Sequence, residues 1–553
     1  MGVATTRTDD RIFATTGAKQ EAQSVFETNE SVLNGGVLFA LPALISQGLG
    51  QAFKTFNPLP NGFYGLKHML LLLSFMALCR IKSPEELKKH PPGEWGKLLG
   101  LDRIPEVGYF RKKIGQIIKQ SKVNTLQSQL FEHWTEQLPE LYFYIDGHVR
   151  VYHGDKANLP KRFVSREKLC LNGTTEFWVN SQDGKPLMVI TGELNEKLKV
   201  AIIQAIEAIK RDLNLGSSSE NEPLFTMIFD REAYEPAWFK SLLKEQHVAV
   251  ITYRKNVNDK WDKNLFLPYD LSIIKNKVMA QLCEMGTNIN GLWFREIRKL
   301  SESGHQTAIM TTHPTISIET IAEKMFSRWT QENFFKYMSE NFNFDRIIEY
   351  GIEDVAQDTT IPNPEYNRIN YQLKKAREKR RRLQASIYEK IENKDDLTIE
   401  QAIQSLGKGA DIFIKIDEYD TLIQDLLNKR KETLTRISIA QMPEDKRYNK
   451  LKTESKKLKN IMLMIAYRAE TALYNSMSEF YKNNAKDGRM ILKEIFTSDA
   501  DFIPDYQNKT LTVRLHSLSA NRFNKIAENL CTLLNETEIK YPDTELTIIY
   551  KTV

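Results

Sequence analysis

Cysteine is scarce in this 553-residue chain, and the four present, Cys79, Cys170, Cys283 and Cys531, stand far apart with no CxxC pair. That spacing offers neither a disulfide framework nor the ligand set of a structural zinc site. Long hydrophobic runs are missing too. The longest, Met69–Cys79, falls short of the ~20 residues a membrane-spanning helix needs and reads as a buried helix. The N-terminus, MGVATTRTDDRIF, lacks the basic-then-apolar pattern of a secretory signal, so a cytoplasmic location is expected. Net charge is only +6, which does not by itself point to nucleic acid; the distribution of the cations matters more. What is there is ordinary globular material, 27% charged and 41% hydrophobic, long enough for about three or four domains.

Residues 1–33 are polar and expected to be loosely held. Residues 34–135 carry helical patterning. Leu66–Leu78 is one buried helix, and Ser83-Pro84-Glu85-Glu86 opens the next, with Ser83 as N-cap and Glu86 completing a capping box. Short helices broken at Gly93, Gly100 and Pro105 then lead to a helix opening with Arg111, Lys112 and Lys113. This reads as a helix-turn-helix, with those three cations as DNA-binding candidates; the alternative is a helical subdomain whose cations are simply solvated.

The chain is organised around Tyr142–Tyr152, YFYIDGHVRVY. Strand alternation sends Phe143, Ile145, Val149 and Val151 to one face and Tyr144, Asp146, His148 and Arg150 to the other. A hairpin follows, strands 175–180 and 186–192 about the turn Ser181–Gly184, then a helix over 197–213. Asp230 ends the apolar strand Leu224–Phe229, where open α/β sheets place their ligands. Pro236 opens a helix, and His247–Tyr253 is a fifth strand. A β-rich block over 255–314 reads as an insertion domain, so the catalytic domain would comprise 136–254 and 315–362. The helix Phe326–Met338 after it carries Glu332, with Arg328 and Lys336 on the same face at i−4 and i+4. This is the ribonuclease H-like order, with Asp146, Asp230 and Glu332 as a carboxylate cluster. Plainer readings are Asp230 as a helix N-cap and Arg328–Glu332–Lys336 as a solvated ladder. Glu296, Glu302 and Glu323 are rivals for the third acid.

Three stretches, YIDGHVRVYHG at 144–154, MIFDREAY at 227–234 and RWTQENFFKYM at 328–338, resemble the DDE transposases of bacterial insertion sequences, particularly those with a β-rich insertion before the third acid. The resemblance implies that Asp146, Asp230 and Glu332 are catalytic and bind two magnesium or manganese ions, which drive DNA strand cleavage and transfer. It also implies double-stranded DNA partners (the terminal inverted repeats and the target), a homodimer in the synaptic complex, and association with the bacterial nucleoid. The family's Tyr-Arg-Glu-Lys signature is partly matched: Arg328 is in place, Met325 stands at the tyrosine position and Ser339 at the lysine position, with Lys336 as a substitute. Arg328 and Lys336 would contact phosphates, and His148 and Arg150 the flanking backbone.

Residues 363–480 read as a helical basic arm. Its first helix, 366–392, carries Arg380, Arg381 and Arg382 as DNA contacts, and its last, Lys446–Met477, has Leu451, Leu458, Met462 and Ile465 near heptad spacing. Residues 481–553 form a small α/β module. The expected whole is an α+β multidomain protein with a ribonuclease H-like core. A catalytically inactive, domesticated DNA-binding regulator and a ribonuclease H-like nuclease are the alternatives.

Overall fold

The computed structural model describes residues 6–553 apart from 61, 155–156, 165–166, 192–196, 217, 219–221, 274–275, 345–350, 393–409, 479 and 482–484. The end of the expected 186–192 strand therefore lies outside the described residues. Two compact units are present: a body of Met1–Gly154, Lys161–Gly351 and Leu451–Val553, and an arm of Asp155–Pro160 and Ile352–Lys450.

The body begins with the segment expected to be loosely held, and it is ordered against the rest. A helix, Thr8–Thr16, is held by Arg11, which pairs with Asp102 at 2.6 Å and lies 3.8 Å over the Phe63 ring. Phe26 is buried against Phe502 and Tyr541, and β1 (Asn29–Val32) pairs antiparallel with Ala500–Asp505. The polar N-terminus is thus the edge of the C-terminal sheet. That sheet continues through Thr510–Leu515 to Thr547–Thr552, the last two parallel. Gly36 is required beneath it, because a Cβ there would come within 2.0 Å of the Ile495 carbonyl oxygen.

Leu66–Leu78 is the expected buried helix. Ser83 makes no side-chain cap, and Glu86 accepts instead from the Lys82 N–H, so the next element is only a 3-10 stretch, Pro84–Lys89. By length and composition Gly35–Thr55 could cross a membrane, but it is broken at Gly48 (φ 129°) and mostly buried in the body. Thr453–Met477 runs through the body, buried on every face from Asn460 to Thr471, and packs on Leu66–Leu78, Ala485–Thr497 and Leu41–Leu44. It does not belong to the arm in which its heptad-like spacing placed it.

The large sheet starts with β2 (Tyr142–Val151), followed in the chain by β3 (Lys161–Val164), β4 (Leu169–Asn180), β5 (Pro186–Thr191), β6 (Phe225–Phe229) and β7 (Val248–Tyr253). β2 pairs antiparallel with β4, and β4 with β5; on its other side β2 pairs parallel with β6, and β6 with β7. The inserted block forms β8 (Leu267–Ile273), β9 (Asn276–Ile289), β10 (Leu292–Leu300) and β11 (Gln306–Thr311). It builds no sheet of its own. β11 pairs antiparallel with β7 and carries the sheet on through β10 and β9 to β8, satisfying backbone groups that an edge at β7 would leave open.

In the arm, Pro364–Glu392 and Ala410–Glu432 pack through Ile369, Leu373, Ala376, Ile423 and Leu426. Strands Thr360–Pro362 and Arg436–Ser438 pair at their base.

Candidate active site

β2 is internal to the sheet, with Phe143, Tyr144 and Ile145 all fully buried, so neither face is a solvent face. Asp146 follows them, opposite Trp178 of β4, and its Oδ1 accepts the Gly147 N–H at 2.8 Å. Burial pushes its carboxyl up to about 6; Arg328 and the Gly147 N–H oppose the shift, and Asp230 and Glu232 reinforce it. Asp230 sits at the C-terminal end of β6, parallel to β2. It is also the N-cap of the short turn Arg231–Ala233, accepting from the Arg231 N–H at 2.6 Å, so the plain reading and the functional one describe the same residue.

The third acid arrives differently from the expectation. Its helix is two, Ile318–Ser327 and Trp329–Phe342, abutting at Arg328. Arg328, 14% exposed, donates to Glu332 at 2.7 Å and lies 3.8 Å from the Asp146 carboxylate. Burial works against its charge, but Glu332, Asp146 and Asp230 outweigh burial and hold its pKa above the ordinary arginine value. One guanidinium thus contacts Glu332, lies beside Asp146 and feels the charge of Asp230. Among the described residues no three His, Cys, Asp or Glu side chains stand close enough to share one metal ion.

Two anchors set the Glu332 helix. Gln331, fully buried, donates its amide to the Trp178 carbonyl at 2.8 Å and to Asn180 Oδ1 at 3.1 Å. Tyr337 donates to Glu470 Oε1 at 2.8 Å and accepts from Arg80 at 3.0 Å. Both were invisible in the sequence because their partners come from distant segments. Tyr253 was also missed. It ends β7, its phenol pKa is raised chiefly by burial, and Arg328, Asp230 and Glu332 all act on it electrostatically. The available signal was its place at the end of the strand beside that of Asp230.

Several predicted contacts turn inward instead. His148 stacks on Phe335 at 4.9 Å, and Arg150, 2% exposed, binds Glu176 at 2.9 Å and Asn460 at 2.8 Å. Neither faces a DNA backbone, because Thr453–Met477 and the Glu332 helix cover that face of β2. Lys113 is buried and donates to the Pro60 carbonyl at 3.0 Å, and Arg111 pairs with Glu85 at 2.6 Å; of that trio only Lys112 is exposed. Lys336 is exposed one turn beyond Glu332. In the arm, Arg380 pairs with Asp420 and Arg382 with Glu378, while Arg381 is exposed. Of the rival acids, Glu296 is buried against Arg298 and Arg254, Glu323 accepts the Ser272 N–H, and Glu302 is exposed in the β10–β11 turn.

A family model described as "Transposase protein" matches residues 2–553. The chain belongs to this transposase family. No curated protein matches it. Among solved structures, a piggyBac transposase synaptic complex with hairpin DNA is similar at a TM-score of 0.31 and 9% identity, over 82% of this chain and 85% of that one. At that level the likeness does not define the fold of the transposase. The transposase is a mixed α/β multidomain protein.

Proposed function

We propose that this transposase cuts and joins DNA at the terminal inverted repeats of a bacterial insertion sequence, with Asp146, Asp230 and Glu332 as the catalytic acids of a ribonuclease H-like domain. The observation carrying the reading is the convergence of the three acids, from an internal strand, the end of its parallel neighbour and a later helix, on Arg328. The strand order β5-β4-β2-β6-β7, antiparallel on one side of β2 and parallel on the other, supports it.

The donor set fits magnesium or manganese, which take hard oxygen ligands. Three carboxylates, of Asp146, Asp230 and Glu332, act on one arginine, and the Asp146 pKa, raised chiefly by burial, is raised further by Asp230 and Glu232. Asp146, Asp230 and Glu332 would hold the ions, which when bound activate the attacking oxygen and stabilise the leaving one. The remaining work falls to the chain. The Gly147 N–H orients the Asp146 carboxylate. Gln331 and Tyr337 fix the pitch of the Glu332 helix. Arg328 and Lys336 bind phosphates flanking the broken bond, the first as a planar fork and the second as a point charge. Exposed Lys112, Arg381 and Arg382 add sequence-independent backbone contacts, making repeat binding steeply salt-dependent. Two copies would hold the two transposon ends, in the cytoplasm on the nucleoid.

The test is cleavage of labelled DNA bearing the element's own ends, with magnesium or manganese, by wild type and Asp146→Asn. Nicking at the repeat boundary, lost in the variant while repeat binding persists, is the expected result. Repeat binding without cleavage by wild type under either metal would identify an inactive DNA-binding regulator instead.

A further inference from the structure

A cavity of about 310 Å³ opens in the body between the helices Leu66–Leu78, Val107–Ile118 and Thr453–Met477. Its inner wall is mostly apolar, built from Leu73, Met76, Ile114, Met462 and Leu463, with Phe342 at one side and the paired, inward-lying Arg80, Arg150 and Lys456 also in the lining. Its mouth carries the exposed lysines Lys82, Lys119 and Lys452. Among the described residues, no aspartate or glutamate lines it.

The three arginines of the lining are already paired, Arg150 with Glu176, Arg80 with Glu470 and Arg111 with Glu85. The cations left facing the mouth are therefore lysines on long stems, gathered around apolar surface. Protein interiors leave few voids larger than a water molecule, and side chains lining an empty one lose packing partners. An occupant with an apolar body would restore those contacts, and an anionic head would relieve the repulsion among the lysines.

We propose that this cavity binds a small organic anion: an aliphatic or aryl body between Leu73, Met76 and Met462, and a carboxylate or phosphate head at the lysine mouth. The site stands independently of the catalytic acids. It nevertheless reaches both of their supports, since Arg150 lies on the strand of Asp146 and Phe342 ends the helix of Glu332.

Isothermal titration of the full-length protein tests this with decanoate, decyl phosphate, decanol, adenosine monophosphate and phosphatidylglycerol vesicles. The expected result is saturable binding of one decanoate or decyl phosphate per chain, with decanol weaker by about tenfold or more for want of the charge-assisted contact. Met462→Trp, which fills the cavity, should abolish binding. The surface variant Lys82→Glu/Lys119→Glu/Lys452→Glu, which leaves the core untouched, should weaken both anions by about tenfold or more and leave decanol unchanged. Equal binding of decanol and decanoate, or no saturable binding of either anion, would overturn the proposal. So would adenosine monophosphate binding more tightly than decanoate, or binding to vesicles alone.

Discussion

Two long helices, similar on paper, have opposite fates. Pro364–Glu392 in the arm carries its cations outward, with Lys374, Lys375, Arg377, Arg381 and Arg382 exposed over a narrow seam of Ile369, Leu373 and Ala376. Thr453–Met477 carries fewer charges, and from Asn460 to Thr471 it is buried all round. Each of its buried charges, Lys456, Arg468 and Glu470, has a reason to be tolerated. Lys456 and Asn460 join Arg150 and Glu176, Arg468 donates to the Pro186 carbonyl and lies 4.4 Å over Trp134, and Glu470 takes Arg80, Arg489 and Tyr337. Burial still registers, pulling the Arg468 pKa down to about 10. Apolar spacing alone did not separate the two helices; the supply of partners from distant segments did.

The sharpest way to break this contrast is Glu470→Leu. It strands Arg80 and Arg489 in the interior and should cost about 3–5 kcal/mol in urea unfolding. The triple change Arg80→Met/Glu470→Leu/Arg489→Met should recover most of that loss, since the penalty is the unpaired charge. No recovery would mean the network is held by shape rather than by charge.

Acid should also divide the two units. His68 is buried, its Nδ1 accepts the Gly65 N–H, and burial pulls its pKa down to about 4. The folded body therefore resists a proton that the unfolded chain accepts near pH 6.5. Stability from His68 is complete above pH 6.5 and is lost as pH falls toward 4, by up to about 3 kcal/mol. Calorimetry against pH should show the body weakening over that window and His68→Gln losing its share of the slope. The arm, whose sequence contains no histidine, should not respond there.

Within the arm, Leu373→Ala should cost about 2–3 kcal/mol, the low end of the range for buried leucine because so small a core can close around the gap. Hydrogen exchange over 364–432 reads this directly, and protection unchanged in the arm would mean its helices do not depend on that seam. The smallest effect belongs to Arg382→Ala. Its pair with Glu378 is exposed, so thermal stability should shift by less than ~0.5 kcal/mol, while DNA retention at low salt should fall.

Much of the fold was legible. Alternation located β2, the turn Ser181–Gly184 located the hairpin, and an unbroken apolar run located Leu66–Leu78, because each signal is local to the residues that produce it. The acids were legible as candidates for the same reason: Asp146 interrupts an apolar strand, and Asp230 ends one. The surroundings of Arg328 were read only in part. Spacing paired Arg328 with Glu332, but not with Asp146, which is far away in the chain and 3.8 Å away in space. His148, Arg150 and Lys113 misled because a cation or imidazole facing inward has the same sequence signature as one facing DNA.

By itself, then, the sequence determined the order of most strands and helices, the candidate acids and the basic character of the arm, all properties of neighbouring residues. Tertiary structure alone decided that the insertion extends the large sheet, that the N-terminal strand closes the C-terminal one, and that Thr453–Met477 is the core of the body. Those outcomes depend on backbone edges and buried charges finding partners from dozens to hundreds of residues away, and no local pattern records whether such a partner will be there.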